Sequence, residues 1–68
     1  MNQLQKPINV ISEFMSEDGS REATIYADTN GKFEVDLFVD KQYILTEKNV
    51  PTIQLARDMA EDFVTSKG

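Results

Sequence analysis

Hydrophobic and charged residues alternate along residues 32–39, which read Lys-Phe-Glu-Val-Asp-Leu-Phe-Val. A period of two places most apolar side chains on one face of an extended chain and the carboxylates on the other, as in a half-buried β-strand. Residues 21–28 alternate in the same way, with alanines in place of larger apolar residues. The pattern predicts two strands, and the alanines indicate a place where a bulky group packs closely.

Residues 28–32, Asp-Thr-Asn-Gly-Lys, have the composition of a tight turn between these strands. A two-residue loop at Asn30-Gly31 would place the apolar set of one strand opposite the polar set of the other. A three-residue loop over 29–31 places both apolar sets on one face, with Asp28 first in a type I turn and Gly31 in the left-handed position. We therefore predict the three-residue loop, with the pairs Ala27–Phe33, Ile25–Val35 and Ala23–Leu37.

Residues 42–47 are predicted to form a second hairpin with 32–39 across Asp40-Lys41. Lys41 is a poor residue for a positive φ, so the turn does not decide the register. Two alternatives stay open: a two-residue loop pairs Leu37 with Ile44 and Phe38 with Tyr43, whereas a three-residue loop pairs Leu37 with Leu45.

The first part of the chain is less regular. Residues 1–6 are polar and without a period, which predicts a frayed terminus. For residues 8–15 we predict a strand, with a short helix as the alternative, because neither period is clean. Residues 16–20, Ser-Glu-Asp-Gly-Ser, predict a turn in which Gly19 takes a positive φ.

From Thr52 the apolar period changes to that of a helix, predicted over 52–66, after a connector at 48–51. Thr52 is expected to cap its N-terminus, and Lys67 to complement the helix dipole at its C-terminal end. The stripe expected to face the sheet is Ile53, Ala56, Met59, Ala60, Phe63 and Val64, with Leu55 on its flank.

These elements predict an α+β fold in a single small domain over residues 1–68. An antiparallel β-meander of three or four strands is packed on one face by the C-terminal helix. The apolar face of the strands and the apolar stripe of the helix each need a cover, and each provides it for the other.

The chain has no cysteine and no histidine. Disulfides, thiolate metal sites, cysteine nucleophiles and Ser-His catalysis are therefore excluded. Asp28-Thr29-Asn30-Gly31 begins like a calcium-binding EF-hand loop, but its glycine is fourth rather than sixth, and the twelfth position is Val39 instead of glutamate. We expect no enzyme, no metal and no cofactor.

Twelve acidic residues against seven basic ones give a formal net charge of −5. Such a surface repels phosphate backbones and anionic lipids, since non-specific nucleic-acid binding depends on lysine and arginine. No apolar run approaches the length of a membrane span. We expect no direct nucleic-acid binding, no membrane association and a cytoplasmic protein, with which the lack of cysteine agrees.

A single helix covers one face of a sheet, so the opposite face is expected to be open. Tyr26 and Phe38 point there in the predicted register and would lie in water, and either Tyr43 or Ile44 joins them. Aromatic side chains rimmed by carboxylates suit a protein-binding patch. The candidate protein-binding residues are Tyr26, Glu34, Asp36, Phe38 and Tyr43.

The strand order, the turn at 28–32 and the terminal helix, over roughly residues 21–65, resemble two kinds of small three-stranded-sheet-plus-helix domains. These are the arm-binding domains at the amino ends of phage-type integrases and the AP2-like DNA-binding domains of plants. Those domains lay a basic sheet into the major groove, whereas the corresponding face here offers Glu22, Glu34 and Asp36, so DNA binding does not carry over. The short acidic composition is also similar to accessory proteins encoded by bacteriophages.

Two functions fit the sequence. The first is a non-enzymatic module that binds a protein through the open sheet face or an edge strand; the partner is a more basic protein or, more weakly, a second copy. The alternative is an acidic decoy that mimics nucleic acid and inhibits a basic protein. Decoy binding weakens steeply with salt, whereas binding through aromatic rings does not.

Overall fold

The computed structural model describes residues 10–66. Within these residues four antiparallel strands form one sheet in the order β1-β2-β3-β4, and a single helix follows them, so the predicted α+β meander is confirmed. The predicted frayed residues 1–6, the start of the strand at residue 8, and Lys67 lie outside the described residues. The elements are β1 Val10–Met15, β2 Arg21–Ala27, β3 Phe33–Val39, β4 Gln42–Val50 and α1 Ile53–Thr65.

The β2–β3 hairpin has the predicted three-residue loop and register. Ala27 pairs with Phe33, Ile25 with Val35 and Ala23 with Leu37. Gly31 has a φ of 81°, the left-handed value predicted for it. The Asp28 carboxylate accepts hydrogen bonds from the backbone N–H of Asn30 at 2.7 Å and of Lys32 at 3.0 Å, which holds the loop closed.

The β3–β4 hairpin combines the two registers that the sequence left open. Asp40 and Lys41 form a two-residue loop with φ values of 51° and 67°, so Phe38 pairs with Tyr43. A bulge at Ile44 then shifts the pairing, and Leu37 lies opposite Leu45. Lys41 thus adopts the positive φ that its side chain disfavours, because the twist of the flanking strands selects this kind of turn.

Strand β4 continues to Val50, so the prediction of a connector over 48–51 is wrong for residues 48–50. A second irregularity in the ladder lies at Asn49, whose φ is 58°. Asparagine tolerates the left-handed region better than other non-glycine residues. The extra residue brings Val50 opposite Phe33, where Val50 is 4% exposed and joins the core.

Helix α1 begins at the predicted cap. The Thr52 hydroxyl accepts a hydrogen bond from the Leu55 N–H at 3.1 Å. The predicted stripe packs on the sheet, with Ala56, Ala60 and Val64 buried. Leu55 is 43% exposed, so placing it on the flank of the buried stripe is wrong; it lies on the solvent side of the first helical turn.

The core lies between α1 and the two central strands. Ile25 on β2 and Val35 on β3 are fully buried, and Ala23 is fully buried beside them. Small residues on both layers, including Ala56 and Ala60, allow the helix to approach the sheet closely. Larger side chains fill the margins of this contact: Phe14, Phe33, Leu37, Ile53, Met59 and Phe63.

Arg21 joins the first residue of β2 to the end of the helix. Its guanidinium Nη1 donates hydrogen bonds to the carbonyl oxygens of Phe63 at 3.2 Å and Ser66 at 3.3 Å. The same guanidinium lies 5.5 Å from the centroid of the Phe63 ring. A cation from another element therefore complements the C-terminal end of the helix dipole.

The turn between β1 and β2 is organised by one carboxylate. Asp18 accepts hydrogen bonds from the Ser20 N–H, the Ser20 hydroxyl and the Ser16 hydroxyl at 2.8–2.9 Å. These bonds, chiefly those from Ser20, lower the pKa of Asp18 from 3.8 to about 2. Gly19 has a φ of 78°, as predicted.

Candidate functional site

The side of the sheet that faces away from α1 is the open face. Strand pairing arranges its side chains in three rows that run across the sheet. Read from β1 to β4, the rows are Met15-Glu22-Phe38-Tyr43, Glu13-Thr24-Asp36-Thr46 and Val10-Tyr26-Glu34. A polar row thus lies between two rows that contain aromatic residues, and Asp36 occupies an inner position of the polar row.

Side-chain hydroxyls converge on Asp36. The Thr46 hydroxyl donates a hydrogen bond to Asp36 Oδ1 at 2.6 Å. The Tyr43 and Thr46 hydroxyl oxygens are also 2.6 Å apart. Since the single Thr46 proton is used toward Asp36, the Tyr43 hydroxyl is the donor to Thr46. The two hydrogen bonds form a chain from Tyr43 through Thr46 to the Asp36 carboxylate.

Tyr26 approaches the same carboxylate from β2. Burial raises the pKa of Tyr26 above its ordinary value of 10.0, and the charge of Asp36 and a side-chain hydrogen bond with it act in the same direction. Glu13 and Glu34 add smaller effects of the same sign. A tyrosine with a raised pKa stays protonated at neutral pH and donates a hydrogen bond, so it is not a general base there. The arrangement is suited to binding more than to proton transfer.

The aromatic residues form a connected surface around this cluster. The Phe38 and Tyr43 rings meet edge to face, with centroids 6.0 Å apart and an interplanar angle of 71°. Tyr43 is 58% exposed. Tyr26 and Phe38 are half-buried, so the expectation that these two rings lie in water is wrong. The edge-to-face contact with Tyr43 covers part of the Phe38 ring.

Carboxylates dominate the charge of the open face. Glu13, Glu22, Glu34 and Asp36 lie on it, spread over three strands. The Lys41 ammonium lies 3.8 Å from Glu22 at the hairpin end of the face, with its side chain 80% exposed. Strand alternation also places Lys48 on this side, near the outer edge. Asp36 has no ion-pair partner among residues 10–66.

The structure brings together most of the residues that the sequence singled out. Tyr43 is linked to Asp36 through Thr46, the Asp36 charge contributes to the raised pKa of Tyr26, and Phe38 contacts Tyr43. Glu34 lies directly opposite Tyr26, at the rim. The sequence reasoning missed Thr46, which connects Tyr43 to Asp36, because its position depends on the bulge at Ile44.

No grouping of carboxylates suited to hold a metal ion occurs in the described part of the chain. A shallow hollow adjoins the cluster on its β1 side, with Glu13, Met15, Glu22 and Phe38 among its lining residues. No helix within residues 10–66 is long and apolar enough to cross a membrane.

Comparisons of the chain with models of protein families, with curated proteins and with solved structures found no match.

Proposed function

We propose that this protein is a non-enzymatic interaction module whose open face binds a basic segment of a partner protein. One observation carries the proposal: Tyr26, Phe38 and Tyr43 surround the Asp36 carboxylate on the sheet face that α1 leaves uncovered. Aromatic residues in a patch with a polar rim are typical of protein-binding surfaces. We place the interaction in the cytoplasm, with which the lack of cysteine agrees.

Charge complementarity selects the occupant of this face. Among residues 10–66, four carboxylates and two peripheral lysines on this face give it a negative potential, which attracts lysine and arginine. A second copy of the chain is disfavoured, because a symmetric interface would bring Glu13, Glu22, Glu34 and Asp36 against their own counterparts. Lys41 is already close to Glu22 and offsets little of this repulsion.

The decoy alternative fits this face less well. A nucleic-acid mimic presents a continuous array of negative charges, whereas here two of the three rows contain a single carboxylate each, beside aromatic and apolar residues. Desolvation of the rings therefore contributes to binding alongside the charges. Full burial of an exposed large apolar side chain contributes about 1.5–3 kcal/mol before the costs of association are deducted. The rings of Tyr26 and Phe38 are already half-buried and contribute less than this.

The proposal is tested with a random-peptide library selected on the wild-type protein. The enriched peptides are then measured against Phe38→Ser/Tyr43→Ser, with Glu61→Gln on the outer surface of α1 as the control, after circular dichroism has shown that each variant is folded. We expect the selected peptides to be basic and to bind the wild type and Glu61→Gln equally. Their affinity for the double variant should be at least about tenfold lower, a difference of about 1.4 kcal/mol. Backbone amide shifts should map to β2, β3 and β4.

Salt dependence completes the test. Between about 0.1 M and about 1 M salt the Debye length falls from about 10 Å to about 3 Å. Binding in which the rings participate should persist at the higher salt with reduced affinity. Peptides that bind the double variant as tightly as the wild type, or amide shifts confined to α1, would refute the proposal. Complete loss of binding at high salt would favour the decoy.

A further inference from the structure

We infer that the open face recognises one arginine side chain of its partner, held at Asp36 between the rings of Tyr26 and Tyr43. This inference rests on the proposed function and specifies the chemistry of that same site. The group recognised is a guanidinium, which pairs with the carboxylate and stacks against the aromatic rings.

The first argument is that Asp36 is held in a defined position. Thr46 on β4 donates to its Oδ1 at 2.6 Å, and Tyr26 lies on β2, the strand that pairs with β3 on the other side. Thr46 is itself fixed by the Tyr43 hydroxyl at 2.6 Å. A carboxylate whose orientation is set before the ligand arrives loses little freedom on binding, which favours affinity and selectivity.

The second argument is that the carboxylate has acceptor capacity left. A carboxylate offers about four lone-pair sites, the Thr46 hydroxyl uses one of them, and the nearby Tyr26 hydroxyl has a single proton and can use no more than one other. Two sites remain for an external donor. A guanidinium presents two parallel N–H groups that match a carboxylate in a bidentate pair.

The third argument separates arginine from lysine. Guanidinium is planar, weakly hydrated and stacks on aromatic faces, whereas an ammonium is compact and strongly hydrated. The cluster offers Tyr26 on one side of Asp36 and the Phe38–Tyr43 pair toward the other. Cation–π contact with these rings strengthens once the ligand covers them and excludes water.

The test uses two small probes, N-acetyl-arginine methylamide and N-acetyl-lysine methylamide, titrated into the isotope-labelled protein and followed by NMR. We expect the arginine probe to shift the amide signals of Asp36, Tyr43 and Thr46 and to half-saturate at a concentration about tenfold lower than the lysine probe. Asp36→Asn should remove this preference, because the amide cannot form a bidentate pair with guanidinium. Glu61→Gln, which removes one carboxylate from α1, should leave it unchanged.

A second variant separates charge from positioning. Thr46→Val keeps the Asp36 carboxylate but removes the hydroxyl that links it to Tyr43, so arginine binding should weaken several-fold even though the carboxylate is retained. Equal binding of the two probes, shifts outside the cluster, or unchanged arginine binding in Asp36→Asn would overturn the inference. Library peptides that bind the open face without an arginine would overturn it and leave the proposed function standing. Peptides insensitive to Phe38→Ser/Tyr43→Ser would overturn both.

Discussion

Replacing Arg21 with methionine tests how the helix is held on the sheet. The change keeps an unbranched side chain that can still pack on Phe63, but it removes the hydrogen bonds to the Phe63 and Ser66 carbonyls at 3.2 and 3.3 Å. It also removes the guanidinium 5.5 Å from the Phe63 ring. The variant therefore isolates the charged contacts from the hydrophobic ones.

The structure sets the size of the effect. Hydrogen bonds from a charged donor contribute about 1.5–3 kcal/mol, but both bonds here are long and Ser66 is exposed, so water replaces part of this. A partly exposed cation–π contact adds about 0.5–1 kcal/mol, and a cation at a helix C-terminus adds about 0.3–1 kcal/mol. We expect Arg21→Met to lower the free energy of unfolding by about 1.5–3 kcal/mol, a large fraction of the stability of so small a protein.

Urea unfolding followed by circular dichroism measures this change. With a slope of about 1 kcal/mol per M for a small protein, the midpoint should fall by about 1.5–3 M. Arg57→Met removes the same charge from the exposed surface of α1 and should change stability by no more than about 0.5 kcal/mol. Equal effects of the two substitutions would show that Arg21 contributes only through the net charge of the protein. Its contacts with the C-terminal end of α1 would then add nothing to stability.

Three further predictions concern the core, a turn and pH. Ile25→Ala should cost about 2–5 kcal/mol because Ile25 is fully buried, whereas Ile44→Ala, at a residue 49% exposed, should cost far less in the same urea assay. Gly31→Val should lower the free energy of unfolding by about 1–2 kcal/mol because the φ of Gly31 is 81°. Gly31→Asn is the control and should lower it less, because asparagine tolerates the left-handed region. Equal effects of the two substitutions would show that backbone strain is not the cause. The pKa of Asp18 is lowered to about 2, so its stabilising effect should be present above pH 3.8 and be lost as the pH falls through about 2. NMR titration of its carboxyl carbon measures this pKa, and a value near 3.8 would contradict the hydrogen bonds from Ser16 and Ser20.

The hydrophobic pattern was sufficient to predict the central hairpin and the helix. In β2 and β3 only one register places both apolar sets on one face, so burial and turn chemistry agree. In the helix the cap at Thr52 and the stripe through Ala56 and Ala60 also agree. Where two independent signals point to the same structure, the sequence specifies it.

The pattern was insufficient at β4, where the ladder contains two irregularities. The bulge at Ile44 and the left-handed residue Asn49 each insert one extra residue into β4. After each insertion, a strict alternation of side chains assigns the following residues to the wrong face of the sheet. The position of Thr46 beside Asp36 follows from the first bulge, and the burial of Val50 follows from the second. Arg21 was missed for a different reason: its hydrogen-bond acceptors are backbone carbonyls, which no side-chain pattern reveals.

The order of the strands has a consequence for how the chain folds. Each strand pairs with its neighbour in sequence, so every hairpin closes a short loop and can form in about 1–10 μs. Contacts between α1 and β2 instead join distant segments; the bond from Arg21 to Phe63 spans 42 residues. We expect hairpin formation to precede helix docking, which makes docking the slow step. In a denaturant chevron, substitutions on the buried stripe of α1 should then change the unfolding rate more than substitutions in the 28–32 turn do.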